Sequence, residues 1–595
     1  MSYEKRADIP QQYLWDTTPL FATVTDWENG TIEAQKALPQ LVAFKGTLNN
    51  KNTILKLFEL RSKLFAQIER LYVYAFMQHD IDGKDTTAQM QFGKIFGILS
   101  KFEESISFMV PELSKLSGET LQEMIDDPDF VNFSVALTEI LKGKAHVLSA
   151  DEEKLIASLS PIFNGFKDAF ERLDNGDLKF GTIKIDGEKM QLTHGSYGML
   201  LEHPDQKVRQ EAFKKYYKPY INYINTIASL YSSSVKTDWF TARARKFKSS
   251  LESALFYEDV DKKVYTNLIN SVHNSLAPLH EYIALKKEVL GVETLNMYDL
   301  YVPIIKDADI KLDFDQAFEL IKEGLKPLGE DYQELLDRAK NERWMDVYET
   351  PGKRSGAYSI GTYGAHPYVL LNYQQTTNDI STIAHELGHA MHSYYSSANQ
   401  CYDKSGYTIF VAEVASTCNE ILLLKHMLKD SKSKEVRTYL LTHYLDMLRT
   451  TLYRQAMFAE FEYIAHKKEE KDETLTYESL CKEYLKLNKK YYGKAVKHNK
   501  EISYEWARIP HFYRGFYVYK YSTGITSAVC IAEKILNEGP EAVTNYKKFL
   551  SLGGSLDPVS ELKVAGVDLT TTEPFDIVTK SFSDTLAELK ELLKK

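Results

Sequence analysis

The chain has 595 residues, is 44% hydrophobic, and sets 73 Lys and Arg against 83 Asp and Glu for a net charge of −10. That is ample material for a large core in two lobes, and the acidic balance argues against nucleic acid or an anionic membrane as a standing partner. No run approaches the about 20 apolar residues of a membrane span, and the N-terminal charges are not followed by the apolar stretch of a secretory signal. Cys401, Cys418, Cys481 and Cys530 are scattered and form no CxxC pair, so reduced thiols and a cytoplasmic protein are expected.

In chain order, helical periodicity dominates. Ile54, Leu57, Phe58, Leu64, Phe65, Ile68, Leu71, Tyr72 and Ala75 form one amphipathic stripe, and similar stripes recur at 89–110, 207–242, 436–466 and 575–593. Between them, Thr182–Thr193 alternates around Asp186-Gly187, which predicts a hairpin. His203-Pro204-Asp205 then breaks the pattern and starts a helix near 205. We expect an N-terminal helical lobe over 1–204 and a catalytic domain over 205–595. Residues 355–373 mix Gly, Ser and Tyr with the short apolar run Tyr368–Leu371, which predicts a small β-element such as a hairpin. The charged run Lys467–Glu473 reads as a solvated helix end. No repeat or low-complexity linker interrupts the chain.

Residues 385–389 read His-Glu-Leu-Gly-His. Positions four apart lie on one helix face, so His385 and His389 can offer two imidazole nitrogens to one metal ion. Glu386 sits beside them, placed to take a proton from an attacking water rather than to bind the metal. The flanks support a helix: Thr376 and Asp379 have capping-box spacing, and Ile380, Ile383, Ala384, Leu387 and Met391 suit a buried face. Gly388 in mid-helix costs about 1 kcal/mol against Ala, which calls for a packing or metal-clearance reason.

A hydrolytic zinc keeps three protein ligands and leaves the fourth position open. The stretch from Thr408 through Glu420 reads as a mostly buried helix carrying two carboxylates, Glu413 and Glu420, on one face. Carboxylates in an apolar stripe are costly unless they meet a cation or hydrogen-bond donors. Glu413 is the expected third ligand, and Glu420 is suited to accept the free N–H of a ligating imidazole. An ordinary paired or solvated acid is the alternative for Glu420.

HELGHAMHSYYS followed by FVAEVASTCNE closely resembles the thimet-oligopeptidase-like zinc metallopeptidases, and within them the bacterial oligoendopeptidase F group. Glu413 follows His389 by 24 residues, in keeping with that family. Arg6–Asp16, Gly352–Ser359 and Pro367–Tyr373 extend the likeness nearly end to end. The resemblance implies endoproteolysis of short peptides, one Zn²⁺ per chain, and a mainly α, two-lobed fold with a deep substrate channel. Folded proteins could not enter such a channel.

Peptide hydrolysis also needs donors aimed at the developing oxyanion. His511, Tyr513, Tyr517 and Tyr521 supply such groups, and the tyrosines recur at four-residue intervals, as on one helix face. The resemblance assigns this role to His511, Tyr517 and Tyr521. The match needs one residue inserted after His511 and puts the next family tyrosine at Gly524, so Tyr513 stays an alternative donor. Core packing is the competing account of these aromatics. In the β-element, an exposed strand edge would bind an extended peptide through main-chain hydrogen bonds, with Gly356, Tyr358, Gly361, Tyr368 and Leu370 as substrate contacts.

Together these parts describe attack by water on a polarised carbonyl, with Glu386 moving the proton to the leaving amine. No Ser or Cys nucleophile is needed, and Cys418 reads as packing. An exopeptidase would share the parts but require a free substrate terminus. A carrier with structural zinc would need four ligands and no adjacent base, and His392 is the one candidate for a fourth. The same ligands accept cobalt or manganese. No feature of the sequence sets an oligomeric state.

Overall fold

The periodic stretches become helices in the computed structural model, which describes residues 3–185, 187–305 and 310–594. The fold is mainly α, with a few short strands. It divides into two compact units, each built from three stretches. The first comprises Met1–Val147, Asp309–His426 and Ile531–Val567, and the second Leu148–Ala308, Met427–Cys530 and Asp568–Lys595. Residue 204, where a lobe boundary was expected, lies inside the second unit.

In the first unit, Asn50 caps the helix Lys51–Ile81 by accepting a hydrogen bond from the Thr53 amide at 2.9 Å. Its stripe of Ile54, Leu57, Phe58, Leu64, Ile68, Leu71 and Ala75 is buried against Val24–Val42 and Thr86–Ile106. Phe65 and Tyr72 lie at the edge of that core, Phe65 stacked on Phe102 at 4.9 Å. Each fully buried side chain of this kind stabilises the unit by about 1.5–3 kcal/mol.

The β-element of this unit has three strands rather than two. Tyr368–Leu370 is central, parallel to Met345–Asp346 and antiparallel to Tyr358–Ile360. Asp346 is fully buried and takes hydrogen bonds from Arg6 (Nη1–Oδ1 3.0 Å) and from Lys353 (Nζ–Oδ1 2.8 Å). Burial opposes its charge, but the two cations hold its carboxyl below the usual range. The N-terminal segment is thereby fastened to the sheet, reinforced by the Val347 amide donating to the Tyr13 carbonyl at 3.0 Å.

In the second unit the 207–242 stripe forms two helices, Gln206–Asn222 and Ile224–Ala244, separated at Tyr223 (φ −105°, ψ 17°), four residues after Pro219. The 436–466 stripe is likewise interrupted, by a π-turn at Arg449–Tyr453. Asp205 caps the helix that starts at Gln206. The predicted hairpin pairs Thr182–Ile185 with Glu188–Gln191. Its turn residue Gly187 has φ +90°, and Asp186 lies outside the described residues. Lys467 and Lys468 pair with Glu470 and Glu473 at a helix end, as the charged run predicts.

Candidate metal centre and active site

The helix Thr377–Asn399 begins with the expected capping box. The Asp379 amide donates to Thr376 Oγ1 at 3.1 Å, and the Thr376 amide donates to Asp379 Oδ2 at 2.9 Å. Such a cap contributes about 1 kcal/mol. Ile380, Ile383, Ala384, Leu387 and Met391 are buried, which fixes the rotation of the helix about its axis. The second helix, Ile409–Asp430, packs on it through Gly388. A Cβ at that position would lie 2.5 Å from Ser416 Cα and 2.6 Å from the Ala415 carbonyl oxygen. The glycine is therefore where the two helix backbones touch. Asn419 bridges them, donating to the Ala384 carbonyl at 3.2 Å and accepting from the Tyr332 hydroxyl at 3.1 Å.

This contact brings Glu413 over both histidines. Its Oε2 lies 3.3 Å from His385 Nε2 and 3.4 Å from His389 Nε2. Ligand atoms on a tetrahedral zinc, at bonds of about 2.0–2.1 Å, stand about 3.3–3.4 Å apart, so the three residues fit such an ion. All three ligand atoms fall within 4.8 Å of one another, and among the described residues this is the only such group of His, Cys, Asp and Glu.

Glu420 accepts the Nδ1–H of His385 at 2.6 Å, and its other oxygen takes a hydrogen bond from Ser381 at 2.8 Å. In the neutral imidazole this bond keeps the proton on Nδ1 and so leaves the Nε2 lone pair for a metal ion. Burial opposes charge on His385, but hydrogen bonds to Glu413 and Glu420 prevail and push it up to about 10. Hydrogen bonds from His385 and His389 hold the Glu413 carboxyl far below its ordinary value. Glu386 is 7% exposed, and burial raises its carboxyl, with the two histidines pulling the other way.

His392 is buried and stacks on Tyr407 at 3.7 Å, and burial lowers it to about 3, so it is a neutral packing ring. Cys418 is buried, and its thiol is pushed up to about 12 by that burial, as an inert core residue should be.

The strand Tyr358–Ile360 forms an edge of the sheet and packs beside the histidine helix. A Cβ on Gly361 would come 3.1 Å from Ser393 of that helix, so the glycine allows the approach. Gly356 has φ +84°, and its carbonyl is held by the Asn372 side-chain amide at 2.7 Å. Tyr368 and Leu370 correct the expectation for substrate contacts. Both are 0% exposed in the central strand, where they join the hydrophobic core beneath the edge.

In the second unit, Tyr513, Tyr517 and Tyr521 do not share a helix face. The short 3₁₀ turn Pro510–Tyr513 ends there, Phe516 takes φ +56°, and the next helix begins at Tyr519. The turn nonetheless gathers three of the four candidates. His511 stacks with Tyr517 at 5.9 Å, Tyr521 meets the Tyr517 ring at 5.6 Å, and the Tyr521 hydroxyl lies 3.3 Å from His511 Nε2. Tyr513 points elsewhere, stacked on Phe170 at 4.6 Å with its hydroxyl buried.

Sequence reasoning missed the residues that hold these parts. Ser381 and Asn419 support the metal helices, and buried Glu462 accepts the Phe516 amide at 2.8 Å. Burial pushes the Glu462 carboxyl up to about 8.

Residues 199–580 match peptidase family M3, and residues 112–180 match the oligopeptidase F N-terminal family. Oligopeptidase PepF of Bacillus subtilis is 40% identical across 99% of this chain and 88% of its own length. Group B oligopeptidase PepB of Streptococcus agalactiae is 39% identical across 100% and 99%. The crystal structure of oligoendopeptidase-F from Enterococcus faecium superposes with a TM-score of 0.75 at 36% identity, covering 96% of this chain and 99% of that one. No helix among the described residues is long and apolar enough to cross a membrane. At that identity over that length, the chain belongs to peptidase family M3 and is a metalloendopeptidase.

Proposed function

We propose that the protein cuts internal bonds of short oligopeptides in the cytoplasm, using one Zn²⁺ held by His385, His389 and Glu413. The observation that carries this reading is the convergence of two imidazoles and one carboxylate at 3.3 and 3.4 Å, with Glu386 buried beside them. Among the described residues the converging ligands stop at three, the number a hydrolytic site uses.

Zinc, when bound there, polarises the scissile carbonyl and acidifies water. Glu386 takes the proton of the attacking water and delivers it to the leaving amine. Its burial favours this exchange, because a carboxyl raised from its ordinary value is a stronger base. Glu420 keeps His385 in the ligating tautomer. The edge strand Tyr358–Ile360, entered at Gly356 and left at Gly361, offers main-chain groups to an extended peptide. His511, Tyr517 and Tyr521 are assigned as oxyanion donors, a role supported by the family resemblance and by their common ring cluster. Four free cysteines suit a reducing compartment.

An end-blocked, internally quenched oligopeptide tests the assignment. Internal cutting should be abolished by a chelator and restored by zinc. Glu386→Gln should still bind one zinc per chain while losing at least about 10²-fold in turnover. Trimming of free-ended peptides alone, or an active Glu386→Gln enzyme, would overturn it.

A further inference from the structure

Past the edge strand the chain runs into a pocket of about 360 Å³, built wholly within the first unit. The Gly361–Tyr363 segment forms one wall and the histidine helix another, through Ser393 and Ser397. Arg61 and Glu69 of the helix Lys51–Ile81 also line it, and the short helix Tyr402–Ser405 with Gly406 and Tyr407 completes the lining.

Its charges do not cancel. Arg61 Nη1 donates to Asp403 Oδ1 at 2.7 Å, and the Ser62 hydroxyl also bonds Asp403, so that pair is neutral and satisfied. Among the described residues Glu69 accepts only from neutral donors, the Tyr363 amide and the Thr362 hydroxyl at 3.4 Å. No cation of the described residues pairs with it. Burial raises its carboxyl, and the two neutral donors only partly offset that. A half-buried carboxylate with spare lone pairs in a pocket of this size calls for a cation from outside.

The pocket is also in reach of the chemistry. Ser393 and Ser397 follow His389 by four and eight residues on the same helix face, about 6 and 12 Å along its axis. An extended peptide advances about 3.3 Å per residue, so the pocket lies about two to four residues from a bond held at the histidines.

We propose that this pocket is a substrate subsite for a cationic side chain, arginine or lysine, with Glu69 as its carboxylate anchor. The proposal rests on His385, His389 and Glu413 being the catalytic metal site. A guanidinium suits it best, since its five N–H donors can meet the carboxylate and the neighbouring hydroxyls together.

The test uses the full-length, zinc-loaded enzyme and end-blocked quenched peptides that carry Arg, citrulline or Glu at one position at a time on either side of the cleaved bond. Blocked ends remove the terminal ammonium as a rival cation. At one position Arg should exceed citrulline by about tenfold or more in kcat/KM. Glu69→Gln, which keeps an acceptor for the Tyr363 amide, should bring that ratio near one by lowering kcat/KM for the Arg peptide. Glu69→Lys should favour the Glu peptide instead. No preference at any position, or a preference that survives in both variants, would overturn the proposal. Failure of the wild-type enzyme to cut even the citrulline set would instead overturn the endopeptidase assignment beneath it.

Discussion

Gly388→Ala is the substitution that most directly tests how the metal site is positioned. The new methyl carbon would stand 2.5 Å from Ser416 Cα, 2.6 Å from the Ala415 oxygen and 2.8 Å from its carbon. Ordinary carbon contacts lie at about 3.5–4.0 Å, so the helices must separate by about 1 Å. Both obstacles are backbone and cannot swing aside. Overpacking of this kind costs about 1–3 kcal/mol, against which alanine regains about 1 kcal/mol of helix propensity. The net loss of stability is therefore small, about 0–2 kcal/mol. The functional loss is not small, because Glu413 lies three residues before Ser416 on the displaced helix. A shift of about 1 Å at such a site costs about 10²-fold in rate. Zinc affinity should be measured against a competing chelator, kcat/KM on the blocked peptide, and stability by denaturant unfolding of the apo protein. Gly198→Ala is the control: it lies within the helix His194–Leu201, where an added methyl group would meet nothing within 4 Å, and it should leave zinc binding and turnover unchanged. A Gly388→Ala enzyme with wild-type zinc affinity and turnover would refute the view that the glycine sets the ligand geometry.

Two further outcomes follow from groups already placed. Glu420→Gln should lower zinc affinity about 10- to 100-fold by weakening the hold on His385 Nδ1, while circular dichroism stays unchanged; an unaltered zinc affinity would contradict the orienting role. Glu462 has a folded pKa of about 8, above its unfolded value, so the native state holds a proton that the unfolded chain releases. Its contribution to stability is therefore fully present at low pH and is lost as pH rises from the unfolded pKa toward 8, at up to about 1.4 kcal/mol per pH unit. Glu462→Gln preserves an acceptor for the Phe516 amide and removes this slope. The variant should gain on the wild type in denaturant midpoint as pH goes from 5 to 8, and a pH-independent difference would refute the buried-proton account.

What was legible in the sequence is what one helix can encode by itself. The His385–His389 spacing, the Thr376–Asp379 cap, the buried stripe and the pairing of Glu413 with Glu420 are all periodicities along a single element, and each appears in place. Gly388 was legible only as an anomaly, because its reason is the backbone of another helix. The four-residue recurrence of Tyr513, Tyr517 and Tyr521 misled for the opposite cause. Phe516 at φ +56° breaks the helix that the spacing presumed, and Glu462, distant in sequence, holds that break in place. Tyr368 and Leu370 were misplaced because a short apolar run reads alike for a central strand and an exposed edge; only the pairing with Met345–Asp346 distinguishes them. Both compact units are likewise assembled from distant stretches, which no local pattern announces. Glu69 carries the argument furthest. On its own helix it is one of three acids, with Glu59 and Asp80, and only the fold sets the Tyr363 amide, the Thr362 hydroxyl and an open pocket around it, with no cation among the described residues to answer its charge. A periodic pattern reports which face a residue occupies, whereas chemistry depends on what that face meets.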